Sequence, residues 1–127
     1  FLQALYIYNA FKILEDVEDN VIKHEFLNYS GIFQIVIVNK GTFYIKVREG
    51  TFKVGKGQYV KPKPTVALTA ELPIWKQIIK GELDFVAAYM SGSLRIEGPL
   101  QDAMKLKVVL DRLKSLTQGT LDQETPN

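Results

Sequence analysis

The hydrophobic period of the chain changes from near 3.6 residues to two and back again, and each change marks a new kind of element. Ala4, Ile7, Phe11, Leu14, Val17 and Val21 recur at steps of three and four, which places one apolar stripe on a helix over about Leu2 to Leu27. The acidic cluster Glu15, Asp16, Glu18 and Asp19 interrupts the stripe, and Asp19 or Asn20 would cap a second helix before Val21. The spacing is compatible with one helix or with two.

From Ile32 the period becomes two. Phe33 to Asn39 is rich in β-branched residues, and Asn39-Lys40-Gly41 supplies turn residues that tolerate positive φ, so a hairpin follows. Its second arm, Thr42 to Arg48, sets Phe43, Ile45 and Val47 against Tyr44, Lys46 and Arg48, a strand with one buried face. Glu49-Gly50 turns the chain into a third strand through Phe52 and Val54. That strand ends at Gly55-Lys56-Gly57, and Pro62-Lys63-Pro64 stiffens the connection to a fourth, Thr65 to Ala70.

Helical spacing then returns. Glu71-Leu72-Pro73 opens a helix with apolar side Trp75, Ile78 and Ile79, which stops at Gly81. Asp84 caps a further helical stretch to about Met90, closed by Ser91-Gly92. Ser93 to Glu97 is a short fifth strand ended by Gly98-Pro99. The last helix runs from about Leu100 to Ser115 with its stripe at Ala103, Leu106, Leu110 and Leu113. The expectation is an α+β fold: helices, a four-strand meander, helices, one more strand and a helix packed as a single domain over residues 1–117, with a disordered tail over 118–127.

Composition narrows the function classes. The absence of cysteine excludes a disulfide framework, a thiolate nucleophile and cysteine metal sites. The apolar runs, among them Ala4 to Tyr8, Ile35 to Val38 and Phe85 to Met90, fall far short of the roughly 20 residues that cross a bilayer. The aromatic amino end lacks the basic segment and cleavage site of a secretory signal. With no initiator Met the start reads as trimmed, and the expected location is cytoplasmic. Charge is uneven: residues 40–63 hold Lys40, Lys46, Arg48, Lys53, Lys56, Lys61 and Lys63 against Glu49, whereas residues 1–30 lean acidic.

Candidate chemistry is thin. His24 is the single histidine, and no neighbouring pattern pairs it with a nucleophile or a metal. Ser91-Gly92-Ser93 lies at a helix-to-strand junction, the reverse of the elbow that serine hydrolases use. Gly55-Lys56-Gly57 lacks the third glycine and the following helix of a dinucleotide fingerprint. The carboxylates at 15–19 are spaced as a solvated face or a cap rather than as an acid and base pair. Phe43, Tyr44, Phe52 and Tyr59 interleave with Lys46, Lys53 and Lys61 as in single-strand nucleic-acid platforms, but strand parity buries Phe43 and Phe52. No cofactor, metal or nucleic-acid partner is expected.

The ordered series over residues 64–107 carries a resemblance. A polar-alternating strand is followed by a helix ending in Lys80-Gly81 and an aromatic-bearing helix into Gly92. The strand Leu94-Arg95-Ile96-Glu97-Gly98 comes next, then Ala103-Met104-Lys105-Leu106. This resembles the type-two sterol carrier protein family, strongly in the carboxyl half and in pattern over the hairpin from Phe33 to Val54. The resemblance implies a five-stranded, mostly antiparallel sheet covered on one face by helices, with an apolar tunnel between. It also implies non-covalent holding of a fatty acid, acyl-CoA or sterol-like ligand. Peroxisomal members end in an address that Thr125-Pro126-Asn127 does not match.

Trp75, Ile78, Ile79, Phe85, Tyr89, Met90, Leu94 and Met104 are the expected core, and with Ser91 the expected ligand-binding set. Tyr89 and Ser91 would offer polar contacts to a head group, and Met90 and Met104 a pliable wall. The ligand would enter between the last helix and the helices from Pro73 to Met90. Lys46, Lys53 and Lys56 are candidates for peripheral membrane contact. The alternative is an accessory or dimerisation module of the same fold, self-filled and serving a partner enzyme, with a homodimer possible.

Overall fold

The run Phe33–Val38 is apolar on both strand parities except at Gln34, the pattern of a strand covered on both faces. In the computed structural model, which describes residues 2–16 and 18–124 with side chains to residue 115, it lies in the central strand. The strands are β1 (Ser30–Ile37), β2 (Gly41–Arg48), β3 (Thr51–Lys56), β4 (Val66–Ala70) and β5 (Arg95–Glu97). Their order across the sheet is β3-β2-β1-β4-β5. β1 pairs antiparallel with β2 and parallel with β4; β2–β3 and β4–β5 are antiparallel.

The expected four-strand meander is therefore corrected. β4 does not follow β3 along the edge but crosses back to the free side of β1, where Phe33 faces Val66 and Ile37 faces Ala70. The reason is burial. A strand apolar on both parities is covered on both faces and belongs inside the sheet, and because the hairpins pair only one edge of β1, β4 takes the other. Asn39 (φ 60) makes the first hairpin turn, and Glu49 (φ 48) with Gly50 (φ 83) makes the second, a two-residue loop of the kind that matches strand twist.

The helices are α1 (Leu5–Lys12), flanked by single 3-10 turns at Leu2–Ala4 and Ile13–Glu15, α2 (Asn20–Phe26), α3 (Leu72–Lys80), α4 (Phe85–Met90) and α5 (Leu100–Glu124). The amino-terminal stripe thus splits into two helices. Asp19, not Asn20, is the cap, its Oδ1 accepting the Ile22 N–H at 3.0 Å. The break also shifts the phase: Ile22 and Phe26 are buried, Val21 is exposed, and Val17 lies outside the described residues. α5 continues past Ser115 to Glu124. The tail expected over 118–127 falls, in its side chains and in residues 125–127, outside the described residues.

The helices cover the sheet face that carries Phe33, Ile35, Phe43, Ile45 and Leu68, and the aromatic rings fix the contact. Phe11 and Tyr8 each meet Phe43 at 5.6 Å between centroids, and Phe26 meets Phe52 at 5.1 Å. Two polar ties hold helices to their surroundings. Glu15 accepts the Val54 N–H at 2.7 Å, and Arg112 donates to both Asp19 oxygens, closing α5 against the start of α2. No helix among the described residues is long and apolar enough to cross a membrane.

Candidate functional site

α3 begins with Pro in its first turn and ends at Gly81, whose φ of 77° lets its N–H reach back to the last carbonyls. Asp84 then caps α4 by accepting the Ala87 N–H at 3.0 Å. These two chain-direction changes bring the end of α3 and the start of α4 against α5. A cavity of about 130 Å³ lies at that junction, walled by Ile78, Leu83, Phe85 and Leu110, with Asp84, Asp111 and Lys114 also lining it. The aliphatic stem of Lys114 lies against Gly81, where any Cβ would collide with it at 2.3 Å. Asp111 is held by Lys107 at 2.9 Å, and that hydrogen bond, the largest cause, raises the Lys107 pKa.

The sequence-expected ligand set divides in two. Trp75 is fully buried and donates Nε1–H to the Val36 carbonyl at 3.0 Å, joining α3 to β1. Ile78, Ile79, Phe85 and Leu94 are also buried, and Met104 is partly buried against the same core. Tyr89 and Met90 are not core residues: they are 40% and 79% exposed. α4 is a six-residue helix whose buried positions are Phe85 and Ala88, and Met90 falls well round from both. Ser91 is exposed and spends its hydroxyl on the Ala88 carbonyl and Ser93. The structure brings Ile78 and Phe85 together at the α3–α4–α5 seam, and it keeps Tyr89, Met90 and Ser91 out of it.

The three lysines divide likewise. Lys46 and Lys53 are direct cross-strand partners on the outer sheet face, whereas Lys56 lies on the other parity with its ammonium 5.4 Å from the Tyr8 ring. Tyr44 and Tyr59, the outward aromatics, pack on one another at 4.8 Å instead of presenting two free faces.

One feature sequence reasoning missed lies opposite the helices. Residues 57–65 cross the outer face as a strap, tied at both ends. Gln34, buried at 3% exposure, shares its two Nε2 hydrogens among Thr42 Oγ1 and the Phe43 and Gly57 carbonyls, and its Oε1 accepts the Tyr59 N–H at 2.7 Å. Thr65 exchanges hydrogen bonds with the Ile32 backbone at the far end. Beneath the strap is a cleft of about 760 Å³, and beside it a second of about 490 Å³. The available signal was the amide Gln34 inside an apolar run: a buried polar side chain needs partners, and the strap provides them.

A model of the SCP-2 sterol transfer family matches residues 11–111. A search of curated proteins finds no match. Among solved structures, the chain is similar to sterol carrier protein domain 2 of Helicoverpa armigera, with 23% identity, TM-score 0.69 and 89% of each chain covered. It is similar to sterol carrier protein 2 like 2 from Aedes aegypti at 22% identity and TM-score 0.62, covering 84% of this chain and 94% of that one. The stereoselective inverting sec-alkylsulfatase Pisa1 from Pseudomonas sp. matches at 21% identity and TM-score 0.62 over 79% of this chain, which spans only 15% of that protein. At these identities the structural likenesses establish the fold.

Proposed function

Because this chain belongs to the SCP-2 sterol transfer family, we propose that it is a non-catalytic lipid carrier that takes an acyl chain or sterol-like body in through the α3–α4–α5 seam. The supporting observation is the cavity at that seam, apolar at Ile78, Leu83, Phe85 and Leu110 and open beside Lys114. Its volume of about 130 Å³ is below the roughly 300–1,000 Å³ of ligand pockets, so loading requires α5 to move off α3 and α4.

The energy permits that movement. Sixteen buried methylenes at about 0.8 kcal/mol each give about 13 kcal/mol, and micromolar affinity uses about 8. About 5 kcal/mol remains to separate the helices and order the ligand. No covalent step is needed. Ile79, Leu94 and Met104 would line the opened layer with Trp75 at its floor, and Tyr89, Met90 and Ser91 would meet the ligand only at its exit. Lys46 and Lys53 suit contact with an anionic bilayer during transfer.

The test is a titration of the delipidated protein with a fluorescent fatty acid. Saturable micromolar binding is expected, lost in Leu83→Trp, which fills the seam. No saturable binding by the wild type would refute the carrier reading.

A second reading, an accessory module serving a partner enzyme, is favoured by the alkylsulfatase, of which a domain of this fold is a small part. The fully buried Trp75 in the layer between sheet and helices also favours it. Native mass spectrometry separates the two: co-purified lipid supports the carrier, and a ligand-free stable oligomer supports the module.

A further inference from the structure

We propose that the outer face of the sheet, beneath the 57–65 strap, is a separate binding site for a phosphate-bearing amphiphile. The phosphate would sit among Lys46, Arg48 and Lys63 and the apolar part beside Val60. This site is on the opposite side of the sheet from the seam and stands whether or not the seam takes a lipid.

Charge is the first ground. Lys46 lies directly across from Lys53, and Arg48 is two residues on from Lys46 on the same face. Like charges directly opposite destabilise a sheet, and among the described residues no ion pair engages Lys46, Arg48 or Lys63. An anion placed between them relieves that repulsion. Glu97, which lines the larger cleft, does not supply it, being paired with Arg95 at 2.7 Å.

Shape is the second ground. The cleft of about 490 Å³ is lined by Lys46, Arg48, Lys63, Ser30 and Thr65. Arg48 brings a fork suited to phosphate oxygens. Thr65 Oγ1 accepts the Ile32 N–H at 3.0 Å, leaving its own proton to give. Lys63 and Thr65 also line the cleft of about 760 Å³, so the two clefts adjoin along the strap. That second cleft offers Val36, Pro64, Ala67 and Pro99, together with Val60, which is 73% exposed. An exposed valine among these apolar wall residues, beside the cluster of Lys46, Arg48 and Lys63, fits a ligand with a tail and a phosphate head.

The test uses short-chain phosphatidic acids below their micellar concentration, titrated by calorimetry and by amide shifts. Saturable one-to-one binding is expected, tighter for dioctanoyl than for dihexanoyl chains and displaced by inorganic phosphate. Arg48→Ala and Lys63→Ala should each weaken it about tenfold or more. Lys46→Glu should abolish it while keeping or raising the melting temperature, since it turns a like-charge pair with Lys53 into an opposite one. Unchanged affinity in Arg48→Ala overturns the proposal. So does capture of phosphatidic-acid vesicles without saturable binding of the monomer, which would make this face a membrane contact with no pocket. Fatty-acid uptake at the seam is read separately through Leu83→Trp, so either idea can fail alone.

Discussion

Replacing Trp75 by phenylalanine tests whether the layer between sheet and helices is filled. The indole is fully buried and gives its N–H to the Val36 carbonyl at 3.0 Å. Phenylalanine removes that donor, worth about 1 kcal/mol. It also leaves a void of roughly 40 Å³, worth about 1 kcal/mol at ~24 cal/mol per Å³. The sum is about 2 kcal/mol, and alanine at the same position should cost about 4–5 kcal/mol. Since the change removes the single tryptophan, urea unfolding is followed by far-ultraviolet circular dichroism, with the m-value checked for constancy. A Trp75→Phe cost below about 0.5 kcal/mol would refute the reasoning, because an indole so easily trimmed must border open space. The void also adds space to the layer that an acyl chain would have to enter, so on the carrier reading the variant should bind the fluorescent fatty acid at least as tightly as the wild type.

Asp19, whose pKa is lowered first by its hydrogen bond from Arg112 and further by the Ile22 N–H, stabilises the fold above its unfolded pKa near 4. That contribution disappears as pH falls through the lower folded value. Asp19→Asn, which keeps a cap but not the charge, should flatten the acid limb of a plot of urea midpoint against pH, and Asp19→Ala should lose about 1 kcal/mol more for the cap. Burial and then the Asp102 hydrogen bond raise the Tyr29 pKa. Its phenol should therefore be the last to ionise in an ultraviolet titration, with that component absent in Tyr29→Phe and stability falling as pH rises past about 10. Gly98 has φ 124 and a Cβ there would meet the Thr65 carbonyl at 2.6 Å. Gly98→Ala should cost about 1–3 kcal/mol by thermal or urea unfolding and loosen the strap end.

Local chemistry explains what was legible. Asn39, Gly50, Gly81, Pro73 and Asp84 each act through their own backbone or the next turn, and the elements they bound lie close to where the pattern puts them. The parity of Thr42–Arg48 gave the buried face correctly because one register pairs all its apolar positions with the helices. The split of the first stripe was ambiguous for a physical reason: the same acidic residues serve as a solvated face or as a cap. Only Arg112 on α5, distant in sequence, makes Asp19 the cap and tie.

Strand order and the binding space depend on contacts that no local pattern records. Meander and crossover use the same strands with the same parity, and they differ only in whether the fourth strand pairs with β3 or with the free edge of β1. The doubly apolar run of β1 carried that information, and Gln34 within it marked where the crossing chain is fastened. A ligand cavity is subtler again. Trp75, Ile78 and Phe85 are apolar residues at helical spacing whether they fill the layer or wall a hollow, and a difference of one side-chain volume decides which. Here, among the described residues, the layer is filled at Trp75 and a small cavity opens at the seam, so on the proposed carrier reading uptake of a lipid would turn on the grip of α5 on α3 and α4. The Lys114 stem over Gly81 contributes to that grip directly, while the Arg112–Asp19 tie holds the same stretch of α5 against α2; on the carrier reading, weakening either should speed lipid exchange before it lowers stability.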